Sequence, residues 1–419
     1  EHFSAAILYL LMGAVGLVIV APHLARGDFL APGVAGVTHL FTLGWLTLTI
    51  FGALSQLLPV ALGAPLYSVR LGHAAFWTLA PGIALFAAGV AFTVTPLLAG
   101  GVVLVATGIV LQVVNVAVTL SRGRTRDVTW GGIAAGITFL ASTLVLGMTL
   151  AHNLHSGFIA AARIRVLAAH LHVALVGWAL VVIVGVANRL LPMFLLAHGA
   201  RTQWSRRALA LLCAGVPLLA AGLLGGWTIV AWAGAIAVEA GLASFLWQAF
   251  AFYRARMRRH LDPGMRFARA SVAYFLLAAA LGPVVLALGV AHPRLGESYV
   301  VSALLGALVL FVTGFLYKIV PLLVWTARFG GRIGQTALPT AADLYSAPVA
   351  RVQLAVNASA VAVLLAGIAA GSALVARGGA LLFLLGVTLF AYQMVRVRWA
   401  TPAAFSGTGP GRAAPSVQP

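Results

Sequence analysis

The sequence predicts an all-α polytopic membrane protein with about 12 transmembrane helices, and three observations lead to that fold class. Hydrophobic residues make up 62% of the 419 residues and charged residues only 8%, whereas a soluble domain is about 45–50% apolar and about 25% charged. Apolar runs long enough to cross a bilayer, which takes roughly 20 residues, recur along the whole chain. Short segments rich in Gly, Pro and Arg separate these runs. A water-soluble globular fold is therefore excluded.

Turn and charge signals give each apolar run its limits, as at Ala31-Pro32-Gly33 and Asp262-Pro263-Gly264. The predicted helices span residues 4–21, 35–62, 73–94, 98–121, 130–155, 168–197, 207–225, 227–253, 269–291, 298–325, 348–374 and 378–398. Residues 1–400 form a single membrane domain in this interpretation. Residues 401–419 are rich in Gly, Pro, Ala and Ser and are predicted to be a disordered cytoplasmic tail.

The basic residues give the orientation of the helices. Of the 26 Lys and Arg residues, 21 fall in the loops of one side and 5 in the loops of the other. By the positive-inside rule both termini are cytoplasmic, in a membrane of the bacterial inner-membrane type. The net charge of +19 is spread over short loops between apolar runs. This distribution is typical of membrane topology and argues against nucleic acid as a partner.

Internal repeats divide the chain into three pseudo-symmetric four-helix units, at about residues 4–125, 130–260 and 269–400. Five residues of predicted helix 2 recur at one constant offset in helix 6: His39, Gly44, Trp45, Gly52 and Pro59 are matched by His172, Gly177, Trp178, Gly185 and Pro192. Helix 10 keeps both glycines and the proline, as Gly306, Gly314 and Pro321, with Val301 in place of the histidine. A glutamine also recurs in the fourth helix of each unit, at Gln112, Gln248 and Gln393. The glycines predict that neighbouring helices approach closely.

Histidines are the main candidates for chemistry. Seven of the 11 are predicted near the extracytoplasmic face, where imidazole could bind haem iron, copper or zinc. His39 and His172 occupy matching repeat positions, and His152 and His155 are three residues apart, so they share a helix face. His170 and His172 would diverge by about 200° on a regular helix, so both reach one site only if His170 lies in the loop.

Glu239 is the only acid that the sequence places deep in a span. Such a residue is a candidate proton relay or the partner of a cation, and the alternative is a protonated carboxyl group hydrogen-bonded to a neighbouring helix. Walker loops, Rossmann glycine patterns, haem-attachment C-x-x-C-H motifs and H-E-x-x-H motifs do not occur in the sequence.

The repeat, with histidines opening helices 2 and 6, resembles the catalytic subunit of haem–copper oxidases and the related NnrS family and cytochrome-oxidase-subunit-I-like membrane proteins. The resemblance covers residues 5 to 398, but its motifs are confined to the segments around His39 and His172. It implies that His39 ligates a low-spin haem and that His172 ligates copper. The oxidase pattern also has a His-His pair on helix 7 and two histidines on helix 10, which are absent here. An ordinary oxygen-reducing centre therefore cannot be built.

The leading hypothesis is a redox membrane protein that binds haem b, with copper as a further candidate, and that transfers electrons or handles nitric oxide. His39 would be one axial ligand. A histidine of the hairpin formed by helices 5 and 6, which carries His152 and His155 on one arm and His170 and His172 on the other, would supply the second ligand or part of a separate metal site. The alternatives are a haem b anchor passing electrons between quinol and a periplasmic cytochrome, a metal or haem transporter, and a cofactor-free subunit of a respiratory complex. Membrane lipid is the one partner that composition alone implies.

Overall fold

The computed structural model describes residues 1–63, 65–197, 199, 201–333 and 338–401. Within that part of the chain, twelve helices are long and apolar enough to cross a membrane, which confirms the predicted helical class and number of spans. They are α1 His2–Arg26, α2 Pro32–Ala61, α3 Val69–Ala91, α4 Thr95–Arg122, α5 Val128–Ser156, α6 Ala160–Leu195, α7 Gln203–Gly225, α8 Thr228–Arg254, α9 Pro263–Leu288, α10 Pro293–Arg332, α11 Ala347–Ala370 and α12 Ala373–Trp399. The predicted tail lies outside the described residues apart from Thr401.

Three helix hairpins, α3–α4, α7–α8 and α11–α12, pack backbone against backbone. Glycines make this contact possible, because a Cβ atom at Gly101, Gly222 or Gly379 would overlap the main chain of the facing helix. Association of helices in lipid depends on such close packing, since burying apolar side chains gives little advantage there.

Helices α2, α6 and α10 form the centre of the bundle, where they contact one another. Each packs a glycine against an aromatic ring of the preceding helix: Gly44 against Tyr9, Gly177 against Phe139 and Gly306 against Tyr274. A Cβ atom on Gly52 or Gly185 would also meet α1 or α5 within 3 Å. The predicted close approach at the repeated glycines is thus found in the structure.

Each central helix contains an eight-residue π-helical segment, Leu40–Thr47, Val173–Leu180 or Ser302–Val309. The three segments stand in the same register to the recurring glycines, because each begins four positions before Gly44, Gly177 or Gly306. They start directly after His39, His172 and Val301, and the three segments contact one another. A π-helical turn inside an α-helix is rare and is found frequently at functional sites.

Buried amide side chains hold the starts of α7 and α11. Gln248 accepts hydrogen bonds from the backbone N–H groups of Trp204 and Ser205, and Gln393 binds both backbone groups of Ser346. At the start of α3 it is Asn115, and not Gln112, that accepts a bond from Ser68 N. Asn115 precedes Gln248 by the same number of residues as His39 precedes His172. By its hydrogen bonds Asn115 is the counterpart of Gln248 in the first third of the chain, whereas the predicted repeat used Gln112.

Candidate functional site

A cavity of about 860 Å³ lies beside the N-terminal halves of α2, α6 and α10. Its wall is mostly apolar, and its volume falls in the range of about 300–1,000 Å³ that is typical of ligand pockets. The charged or titratable groups that line it are His39, Arg163, Arg165, His170, His172, Glu239, His292, Glu297 and Tyr299. Three of the histidines singled out from the sequence, His39, His170 and His172, therefore share one chamber with Glu239.

The imidazole rings of His39 on α2 and His170 on α6 are neighbours, with ring centroids 6.4 Å apart and ring planes inclined by 34°. The Nδ1 atom of His39 lies 2.8 Å from the carbonyl oxygen of Ala35. Since a carbonyl oxygen only accepts, Nδ1 carries the proton and the lone pair of a neutral ring is on Nε2. The ring of Phe86 makes a T-shaped contact with that of His39, with centroids 4.9 Å apart.

His170 belongs to the helical part of α6 and not to the preceding loop. His170 and His172 were expected to reach one site only if His170 lay in the loop. Because His170 is helical, the two rings point to different partners, His39 for His170 and Tyr299 for His172. The Nδ1 atom of His170 is buried without a hydrogen-bond partner. Gly147 of α5 makes room for the ring, because a Cβ atom there would lie 3.1 Å from His170 Cε1.

The spacing of the His39 and His170 rings suits a single metal ion between them. Two imidazole nitrogens bound on opposite sides of one ion at about 2.0–2.1 Å place their ring centroids roughly 6 Å apart. A protonated Nδ1 held by a backbone carbonyl is the usual support for an Nε2 ligand, and His39 has that arrangement. The Nδ1 atom of His170 forms no hydrogen bond of ordinary geometry, although the backbone of Thr143 on α5 is a polar neighbour of this ring.

His172 is engaged by a different neighbour. Its Nδ1 atom donates to the carbonyl oxygen of Ala168 at 2.8 Å, and its Nε2 atom lies 3.1 Å from the hydroxyl group of Tyr299 on α10. With the proton on Nδ1, the tyrosine hydroxyl is the donor and the lone pair of Nε2 is occupied. Tyr299 occupies the repeat position of His170, two before Val301 as His170 is two before His172, so the sequence comparison could have found it.

Glu239 lies on α8 in the wall between the cavity and a shallow depression on the outside of α8 and α9. It forms no hydrogen bond or ion pair with any described residue. A Cβ atom on Gly282 of α9 would be 3.3 Å from the Glu239 Oε1 atom and 3.5 Å from Cε2 of Tyr299. Because Gly282 has no side chain, Glu239 and Tyr299 both border the small space beside its Cα atom.

A second acid, Glu297, was missed by the sequence analysis. Because α10 begins at Pro293 and not at 298, Glu297 lies inside the helix, is 5% exposed and lines the cavity. Neither of its carboxyl oxygens has a hydrogen-bond partner. The proline at the first helical position, which suits the start of a helix, was the sequence signal for this boundary.

His152 and His155, the other two candidates, are exposed at the end of α5 and do not line the cavity. The ring of His152 contacts Phe158. Across the described residues, no group of three or more His, Cys, Asp or Glu side chains is close enough to hold a metal ion. The structure therefore does not bring His152 and His155 to the cavity, and it places the ring of His170 beside that of His39.

No protein-family model matches the chain, and no curated protein matches it either.

Proposed function

We propose that this protein is a membrane redox protein that binds haem b in the cavity, where His39 and His170 would hold the iron. The observation that carries the proposal is a pair of neighbouring imidazole rings on two different helices in a mostly apolar chamber, with ring centroids 6.4 Å apart. Haem held there would supply reversible one-electron transfer.

The protein's own residues would do the remaining work. Ala35 fixes the His39 ring through its carbonyl oxygen, and Gly147 leaves the space in which the His170 ring sits. Arg163 and Arg165, which also line the cavity, carry the charge needed to pair with the carboxylate groups of haem. The aliphatic wall would keep water away from the iron and so tune its potential.

The proposal keeps the three-unit organisation and the orientation expected from the sequence. Three π-helical segments in the same register of the repeat support the pseudo-symmetry. The excess of arginine in alternate loops supports cytoplasmic termini and a bacterial-type inner membrane. With that orientation the His39–His170 pair lies in the outer half of the membrane, within reach of an electron partner outside the cell membrane.

Two roles remain open to such a protein, electron transfer and the binding or reduction of nitric oxide, and the second rests on the family resemblance alone. Quinol, a periplasmic cytochrome or other subunits of a respiratory complex are the proposed partners. Copper is the weaker cofactor proposal, since His172 would first have to release Tyr299. Glu239, with no partner of its own, is the proposed proton relay of the cavity.

The direct test is to purify the full chain in detergent and to record its reduced-minus-oxidised spectrum together with its metal content. We expect haem b bands and one iron per chain. His39→Ala and His170→Ala should each lose the haem while the protein still inserts, and His155→Ala, which changes an exposed histidine, should retain it. Absence of haem and of stoichiometric iron from the unaltered chain would discard the proposal in favour of a transporter or a cofactor-free subunit.

A further inference from the structure

Five side chains at the end of the α7–α8 hairpin where α8 finishes form an arginine–aromatic cluster: Trp204, Arg207, Trp247, Phe250 and Arg254. The rings follow one another, with centroids 6.2 Å apart for Trp204 and Trp247 and 5.8 Å apart for Trp247 and Phe250. The guanidinium of Arg207 lies 4.5 Å from the centre of a Trp204 ring, and that of Arg254 lies 5.9 Å from the Phe250 ring. A row of three rings is thus flanked by a cation at each end.

The backbone under this cluster is fixed. The side chain of Gln248, next to Trp247, accepts hydrogen bonds from the N–H groups of Trp204 and Ser205 and donates one to the carbonyl oxygen of Arg201. These bonds tie the start of α7 to the last turns of α8. The relative position of Trp204 and Trp247 is therefore fixed by the contact between two helices and not by the conformation of a loop.

The cluster is open to its surroundings on the outside of the bundle. The side chains of Trp247 and Phe250 are 55% and 50% exposed, and Arg206, Arg207 and Arg254 are also exposed. Among the described residues, none of these three arginines forms an ion pair with a carboxylate. The cluster therefore presents uncompensated positive charge beside a large apolar surface.

We infer that the arginine–aromatic cluster binds an anionic phospholipid of the surrounding membrane. The unpaired guanidinium groups would hold the phosphate group, because their N–H donors match phosphate oxygens in bidentate geometry. Trp247 and Phe250 would contact the glycerol and upper acyl chains, at the depth where aromatic residues collect in membrane proteins. Charge complementarity selects the anionic lipid, because a zwitterionic lipid brings a cation to a surface that is already positive. This inference does not depend on haem.

Quenching of tryptophan fluorescence by brominated lipid tests the site in the full-length protein. The chain is reconstituted in phosphatidylcholine bilayers that contain the same fraction of either brominated phosphatidylglycerol or brominated phosphatidylcholine. We expect stronger quenching by the brominated phosphatidylglycerol. The doubly altered protein R207Q/R254Q should lose that excess, and so should Trp247→Phe. The control R351Q/R377Q, which removes two exposed arginines on α11 and α12, should keep it.

Equal quenching of the unaltered protein by the two brominated lipids would overturn the inference, as would an equal loss of the excess in the control variant. A second measurement separates the lipid from a free anion. Phosphatidylglycerol in mixed micelles should raise the melting temperature of the detergent-solubilised protein, and inorganic phosphate should not. A matching rise with inorganic phosphate would show a free-anion site and contradict a lipid site.

Discussion

The hydroxyl group of Tyr299 donates a hydrogen bond of 3.1 Å to Nε2 of His172, whereas the ring of His39 faces a second imidazole, that of His170. His39 and His172, which occupy matching positions in the sequence, therefore differ in the hydrogen bonding of their Nε2 atoms. His39 keeps a free lone pair directed away from its carbonyl partner, and the lone pair of His172 is used within the protein.

We predict that His172→Ala retains haem, in contrast to His39→Ala. The reason is that the Nε2 atom of His172 already has a partner in Tyr299 and is not needed as an axial ligand. Haem content per chain after purification, measured from the reduced-minus-oxidised spectrum, checks this outcome. Loss of haem from His172→Ala but not from His170→Ala would show that the wrong histidine had been paired with His39.

Gly147→Ala should weaken haem binding without changing any ligand. The added Cβ atom would lie 3.1 Å from Cε1 of His170, so the ring has to shift by a few tenths of an ångström from its present position. Groups that only support a metal ligand typically change metal affinity by about 10–100-fold, and we expect a loss of at least about tenfold. The matched control is Gly296→Ala, because Gly296 also lines the cavity but has open space around its Cα atom. Haem retained after detergent exchange is the measurement, and equal retention in both variants would argue against the His170 assignment.

Two further glycine variants should change thermal stability in opposite directions. At Gly222 a Cβ atom would overlap the backbone of Ala231 in α8, and overpacking of this kind costs about 1–3 kcal/mol. At Gly378, inside α12, a Cβ atom meets open space, and replacing a mid-helix glycine by alanine gains roughly 0.5–1 kcal/mol. Melting of the detergent-solubilised protein should therefore shift down for Gly222→Ala and up for Gly378→Ala. A downward shift of equal size in both would mean that the α7–α8 contact is not the cause.

Glu239 should be reachable from the lipid phase. It lines both the cavity and the depression on the outside of α8 and α9, with Ala235 and Pro283 in the same thin wall. Dicyclohexylcarbodiimide, which partitions into membranes and adds to protonated carboxyl groups, should modify Glu239, and a water-soluble carbodiimide should not. Peptide mass spectrometry locates the adduct, and Glu239→Gln serves as the control that removes it. Modification by the water-soluble reagent alone would indicate access from the aqueous side.

The twelve spans could be predicted because length and hydropathy decide them, and each predicted range overlaps one of the observed helices. Boundaries were harder, since Pro293 and the residues directly after it are polar enough to resemble a loop and yet begin α10. Placing the start of this helix too late concealed Glu297. Hydropathy does not contain this boundary, and the proline at the first helical position is the local signal that marks it.

The candidate site was predicted by residue type but not by pairing. His39, His170 and His172 were singled out and do line one cavity, whereas His152 and His155 were singled out with them and are exposed. Which histidines of α5 and α6 line the cavity depends on which face of each helix packs toward α2. The spacing of residues along one helix shows which of them share a face, but it does not show which neighbouring helix that face contacts. For the same reason Tyr299 was overlooked, although the repeat places it at the position that matches His170.

The π-helical segment Leu40–Thr47 separates His39 from Gly52 along α2. A π-helical turn holds about one residue more than an α-helical turn, and an α-helix turns by about 100° per residue. Rewinding this segment as α-helix at constant chain length would therefore turn His39 by roughly that angle while Gly52 stayed against α1. The N-terminal turns of each central helix can thus change the residue that faces the cavity through gain or loss of π-helical geometry, without disturbing the packed C-terminal half.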